Sequence, residues 1–257
     1  MWYRPFRHKN VSYVKLAPYR RIFRQGVPIL MYHKIGSPPP ETQIKSLYVP
    51  SSLLERQVRE FREEKFQTVG LDRWATFTEP NDRQFVVTFD DGSRSVFQSA
   101  CSLLADFRFS AIQYLVADLI GGKNEWDTVK GEVEDPLMSD SEVREWLSAG
   151  HQIGSHTLTH PHLTRLDPQR AREEIFSSKT KLEDRFGIPI RHFCYPYGSW
   201  NQKIRDLVDE AGYETAVTTD PGVCTDTKDP FALPRITVRH PPRNWRTFLS
   251  QFLPWSV

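Results

Sequence analysis

No stretch of roughly 18 consecutive apolar residues occurs in this chain of 257 residues, which excludes a bilayer-spanning helix. Cysteine is scarce. Cys101, Cys194 and Cys224 are an odd number for a disulfide framework and lie too far apart for a zinc knuckle, so a reducing compartment is permitted. An excess of charge of one sign is also missing. Lys and Arg number 34 against 32 Asp and Glu, a net charge of +2, which argues against a nucleic-acid partner. The opening MWYRPFRHKN lacks the apolar core of a secretory signal. A cytoplasmic or membrane-peripheral location is therefore expected, unless the chain is a trimmed exported form. What the sequence does hold is core material: 39% hydrophobic residues and 12% aromatics, with seven Trp, argue against extensive disorder.

Residues 1–26 stand apart. They carry seven Lys and Arg and no acid, with aromatics interleaved, which leaves −5 on residues 27–257. We read them as a basic aromatic arm, either packed on the domain with solvated charges or in peripheral contact with anionic lipid. From Val27 onward, apolar runs alternate with amphipathic stretches. Strands are expected at 27–33, 85–89, 111–116, 152–154, 192–195, 213–218 and 235–239. Helices are expected at about 51–65 (capped by Ser51 or Ser52), 95–106, 139–149, 168–186 and 201–211. Pro168 suits the first turn of the long helix and Gly187 its stop. Residues 121–136 read as a polar excursion. The alternation predicts one α/β domain over 27–257, a barrel or an open parallel sheet, with polar clusters at strand ends where such folds place their sites.

Five clusters carry chemistry. Thr88-Phe89-Asp90-Asp91-Gly92 puts two adjacent carboxylates after an apolar strand, costly to bury unless a cation or protons neutralise them. Asp-Asp-Gly is equally a good surface turn. Ser155 to His162 holds three of the eight His within seven residues, and the spacing of His156 and His160 suits two imidazoles on one metal. Core or capping histidines are the alternative, and His162 reads as structural. Phe193-Cys194-Tyr195-Pro196-Tyr197-Gly198 is a strand ending in a tight turn, Met31-Tyr32-His33 puts a His at a strand end, and Leu233-Pro234-Arg235-Ile236 precedes His240.

The order Thr-Phe-Asp-Asp-Gly, His-x-x-x-His about 65 residues later and Tyr-Pro-Tyr-Gly about 35 beyond that resembles the polysaccharide deacetylase family, the NodB-homology or carbohydrate esterase family 4 domain. The resemblance covers about residues 27–240. The early Leu-Met-Tyr-His segment is similar to the permuted subgroup that includes poly-N-acetylglucosamine deacetylases. The resemblance implies a distorted (β/α) barrel and one divalent metal ion on Asp91, His156 and His160. Zinc is expected first, although cobalt, nickel, iron and manganese also suit these ligands. It implies Asp90 as catalytic base, His33 as general acid, and the backbone N–H of Tyr197, in the Pro196-Tyr197-Gly198 turn, as a donor to the oxyanion. The implied substrate is an N-acetylated glycan or glycolipid of N-acetylglucosamine type. The chemistry requires such parts: water needs a base, the carbonyl oxygen needs a donor, and the departing nitrogen needs a proton, which a His with a reference pKa of about 6.5 can supply.

The sequence departs from the family in one place. Many members carry an Arg two residues before the motif Pro, to orient the base, where this chain has Cys194. Arg235 is the expected replacement, with Arg239 as its rival, and His240 is the rival of His33. An O-acetyl esterase or other amidase on the same site, and a catalytically silent glycan-binding module, are the alternative functions. Trp126, Trp200 and Trp245 are candidate sugar-stacking faces or simple packing. Phe248, Phe252 and Trp255 are expected to dock a last helix.

Overall fold

The computed structural model describes residues 23–76, 83–225 and 229–238. The first apolar run forms β1 (Ile29–Tyr32). Two-residue strands β2 (Lys34–Ile35) and β3 (Tyr48–Val49) follow, too short for any periodicity to announce them. In α1 (Ser51–Glu63), Leu54, Val58 and Phe61 are buried as their spacing predicts. Its cap is Pro50 without a side-chain bond, so neither Ser51 nor Ser52 has the expected role. β4 (Gln67–Thr68) and β5 (Gln84–Phe89) come next, then α2 (Arg94–Asp106), capped by Ser93, and β6 (Ile112–Leu115).

The polar excursion contains one turn of helix, α3 (Glu125–Thr128). α4 (Asp140–Ser148) opens on a capping box between Ser139 and Glu142 and leads to β7 (Gln152–Ser155). α5 (Pro168–Phe186) has the foreseen ends. Asp167 caps the amides of Gln169 and Arg170, worth about 1 kcal/mol, and Gly187 closes the helix at φ 70°. β8 (His192–Cys194), α6 (Gln202–Glu210), β9 (Thr215–Pro221) and β10 (Leu233–Thr237) complete the series.

Seven of these strands, all parallel, close into a ring in the order β1-β10-β9-β8-β7-β6-β5, and β1 pairs with β5 to seal it. β4 adds to the opening residues of β5. The expected barrel is therefore the architecture, and the open sheet is set aside. Val27, Ile29, Val86, Ile112, Tyr114, Cys194, Val217 and Leu233 pack into one buried cluster. Leu30, Val87, Phe89, Ile153, Phe193 and Ile236, together with helix residues such as Ile175 and Leu182, form the larger cluster. The period of two along a strand thus separates the barrel interior from the helix-facing layer. Carried forward, that period puts Asp90, His156, Cys194 and Arg235 on the interior side, at or near the carboxyl ends of their strands.

Arg239, His240, Trp245, Phe248, Phe252 and Trp255 lie outside the described residues, as does the basic arm before Phe23. Among the described residues, no helix is long and apolar enough to cross a membrane.

Candidate metal centre and active site

Asp91 follows β5 with φ 75°, an unfavourable region for a residue with a side chain. His156 follows β7, and the segment after it is no helix: Thr157 (φ 70°) and His160 (φ 63°) are both left-handed. Residues in that region cost of order 1–3 kcal/mol each and persist only where their surroundings over-determine them. Glu174 of α5 is the determinant. Its fully buried carboxylate accepts from the amides of Leu158 (2.9 Å) and Thr159 (3.0 Å), the Thr159 hydroxyl (2.7 Å) and Arg170 Nη2 (2.9 Å). The His160 amide donates to Thr157 Oγ1 (3.0 Å). Sequence reasoning missed Glu174. It stands on another element, and the signal for it was an acid on the buried stripe of the helix.

This loop brings the two imidazoles together. His156 Nε2 lies 3.5 Å and His160 Nε2 3.4 Å from Asp91 Oδ1, with the rings 4.7 Å apart. His156 Nδ1 pairs with the Cys194 carbonyl at 2.8 Å, which leaves Nε2 for the cluster. All three side chains are buried, and their donor atoms lie within 4.8 Å of one another. Two imidazole nitrogens and one carboxylate suit a divalent ion, which on binding would displace the proton that, against the effect of burial, contacts with Cys194 and Asp91 favour on His156. Ligands at about 2.1 Å around a tetrahedral centre stand about 3.4 Å apart, close to the separation of each imidazole nitrogen from Asp91 Oδ1 here. The donor set therefore fits a metal. Burial lowers the His160 imidazole to about 4, so its lone pair is free at neutral pH. Burial also works against ionisation of Asp91, but its contacts with His156 and His160 outweigh this and hold its carboxyl well below the usual range.

Asp90 is gripped from below. Arg235 Nη1 and Nη2 donate to its two oxygens at 2.7 Å each, while Nε donates to the Thr218 carbonyl (2.7 Å) and Nη1 also to Thr88 Oγ1 (3.1 Å). The planar fork matches the carboxylate, and the guanidinium is fully buried. A register shift between Leu233 and Arg235 in the β9–β10 pairing sets this aim. Arg235 Nη2 also donates to Cys194 Sγ at 3.3 Å, so the guanidinium lies against the small side chain at that position. Burial alone would raise the Asp90 carboxyl, but the charge and hydrogen bonds of Arg235 bring it below the ordinary value. His33, at the end of β1, points Nε2 at Asp90 Oδ2 from 3.8 Å. Burial lowers its imidazole, against the pull of Asp90 and Asp91.

The turn after β8 completes the mouth. Tyr197 is left-handed (φ 59°, ψ 9°) and partly exposed. Gly198 is also left-handed at φ 66°, and a Cβ there would stand 2.0 Å from Thr219 Oγ1, so only glycine fits. His162, read as structural, stacks on the Tyr197 ring at 3.8 Å. Trp126 is not an open sugar platform: it is nearly buried and stacks on His160 at 4.5 Å. Trp200 packs on Tyr195. The three cysteines are free and buried.

Comparisons with known proteins bear on the family and the fold. The polysaccharide deacetylase family profile matches residues 78–216, more than half of the chain. YxkH of Bacillus subtilis, which bears a polysaccharide deacetylase name, is 27% identical over 216 residues, 82% of this chain and 71% of that protein. A chitooligosaccharide deacetylase of Azorhizobium caulinodans is 29% identical over 134 residues, 51% of this chain and 56% of the relative. The crystal structure of BC0361, a polysaccharide deacetylase from Bacillus cereus, superposes with a TM-score of 0.72 at 26% identity, over 89% of this chain and 69% of that one.

Proposed function

Because the chain belongs to the polysaccharide deacetylase family, we propose that it is a metal-dependent hydrolase that removes N-acetyl groups from N-acetylglucosamine-type sugars in a glycan or glycolipid. The observation that carries this reading is a pair of proton-transfer groups, Asp90 and His33, beside the Asp91, His156 and His160 cluster. The chitooligosaccharide deacetylase among its relatives supports the substrate class.

Asp91, His156 and His160 would hold the ion, zinc in the first instance. A divalent cation there supplies Lewis acidity toward the acyl carbonyl and water. Asp90, kept ionised by the Arg235 fork, accepts the proton of the attacking water. Tyr197 offers its backbone N–H to the carbonyl oxygen as charge builds there, an interaction worth a few kcal/mol in a dry site. Pro196 and Gly198 fix the turn on either side of it. His33 hands the proton from Nε2 to the sugar nitrogen as the C–N bond breaks, and acetate and the free amine leave. Trp126 covers one face of His160 and keeps bulk water off it.

The test is acetate release from short N-acetylglucosamine oligomers by metal-reconstituted protein. Wild type is expected to release acetate. Asp90→Asn should retain metal and lose at least about 100-fold in rate, the scale of lost acid–base catalysis. Glycan binding without acetate release, with metal bound, would establish the silent module instead. Release from O-acetyl esters alone would establish the esterase.

A further inference from the structure

Residues 121–136 leave the barrel after β6 and return across its mouth. The excursion is anchored, not loose. Glu132 accepts from the amides of Gln43 and Ile44, both at 2.9 Å, and Asp135 pairs with the buried Lys34 at 3.4 Å. From this anchored segment Lys130 reaches the turn after β8. Its Nζ donates to the Tyr197 hydroxyl at 2.9 Å and lies 3.5 Å from Asp127 Oδ1, a nearly buried carboxylate.

The left-handed backbone of Tyr197 needs such support. Within its own turn only two bonds between main-chain groups close the loop, Gly198 N to Tyr195 O and Ser199 N to Pro196 O. Neither restrains the phenol. The ring is held by His162 on one face, His160 at its edge and Lys130 at its hydroxyl. A ring fixed at its far end cannot swing about Cα without breaking that bond, so its hold is transmitted to the direction of the Tyr197 N–H. The Lys130 side chain is 55% exposed, so removing its ammonium opens no core cavity.

We propose that Lys130 is a positioning residue: through the Tyr197 phenol it fixes the backbone N–H of Tyr197 toward the reacting carbonyl and so sets turnover. This rests on the reading above, in which that N–H serves the acyl oxygen. Two of the three ammonium donors are already engaged, by Tyr197 and Asp127, which favours this role over direct capture of substrate.

The test compares Lys130→Met, Lys130→Arg, Tyr197→Phe and the Lys130→Met/Tyr197→Phe double variant as metal-loaded full chains. Lys130→Met and Tyr197→Phe should each lower kcat about tenfold, or about 1.4 kcal/mol, with KM and zinc affinity within about twofold of wild type. The double variant should be no slower than either single one, and Lys130→Arg should recover most of the rate. Unchanged kcat, a loss confined to KM, or losses that multiply in the double variant would each overturn the proposal. A second readout needs no activity: with 15N-tyrosine labelling, the Tyr197 amide resonance should move in Lys130→Met, and a fixed resonance rejects the latch. If wild type releases no acetate from any acetylated glycan, the functional reading fails, while the resonance still decides the latch.

Discussion

Arg235 holds Asp90 from across the barrel. The family Arg precedes the motif Pro by two residues, and this chain has Cys194 there. The guanidinium arrives instead from β10, on the next strand but one, and forms both of its forked bonds to Asp90. Sequence named Arg235 as the expected replacement with Arg239 as its rival, and the fold shows why Arg235 suits: it stands on the inward face of β10 within reach of both Asp90 oxygens. Arg235→Lys keeps a charge but loses the fork. It should slow acetate release about 10- to 100-fold and leave metal affinity unchanged, as kinetics and calorimetry on the same preparation would show. Arg235→Ala leaves a buried carboxylate unpaired and should cost about 3–5 kcal/mol of stability, measured by urea denaturation.

Among the elements, α5 has a second task beyond packing. Ala171, Ile175, Leu182 and Phe186 bury its stripe against the barrel, as their spacing requires. Glu174, on the same side, clamps the segment that carries His160. The spacing of His156 and His160 was legible as a ligand pair, but the reason the two rings meet was not. The spacing suggested a turn with both rings on one side. The actual loop has two left-handed residues, held by a carboxylate some fifteen residues away in sequence. Glu174→Gln removes the charge and one acceptor. It should weaken zinc binding about 10- to 100-fold by titration calorimetry, the usual loss for a group that orients a metal ligand. Thr159→Val, which removes one of the clamp's donors, should have a smaller effect in the same direction.

At the scale of the molecule, the two ends of the barrel differ. The carboxyl ends carry the polar cluster, while His192 sits at the opposite end, where β8 begins. It is buried, shares a 2.9 Å hydrogen bond with Thr215 Oγ1, and burial lowers its imidazole from 6.5 to about 4. Above pH 6.5 the folded and unfolded chains both hold this ring neutral, and its contribution to stability is complete. As pH falls from 6.5 toward 4 the unfolded chain takes up a proton that the folded chain refuses. Stability should then fall by up to about 3 kcal/mol. Urea midpoints measured across that interval should decline for wild type and decline less steeply for His192→Asn. Equal slopes would remove His192 as the cause.

The sequence by itself determined the seven strands of the ring and the five longer helices, the ends of α5, the order of the motifs and the family they resemble. Those are properties of local chemistry: apolar period, capping groups, and glycine or proline at turns. It offered Asp90-Asp91 and His156/His160 as two clusters, which the resemblance to the family joined into one expected site. Tertiary structure decided the rest. Closure of β1 on β5 brought His33 to within 3.8 Å of Asp90, although 57 residues separate them in the sequence. Register on β10 brought the expected Arg235 onto Asp90, and burial decided that Trp126 packs as a cover for His160. Lys130 and Glu174 gained their partners only through packing. A residue's partners across a barrel are set by register and closure, which no local pattern encodes.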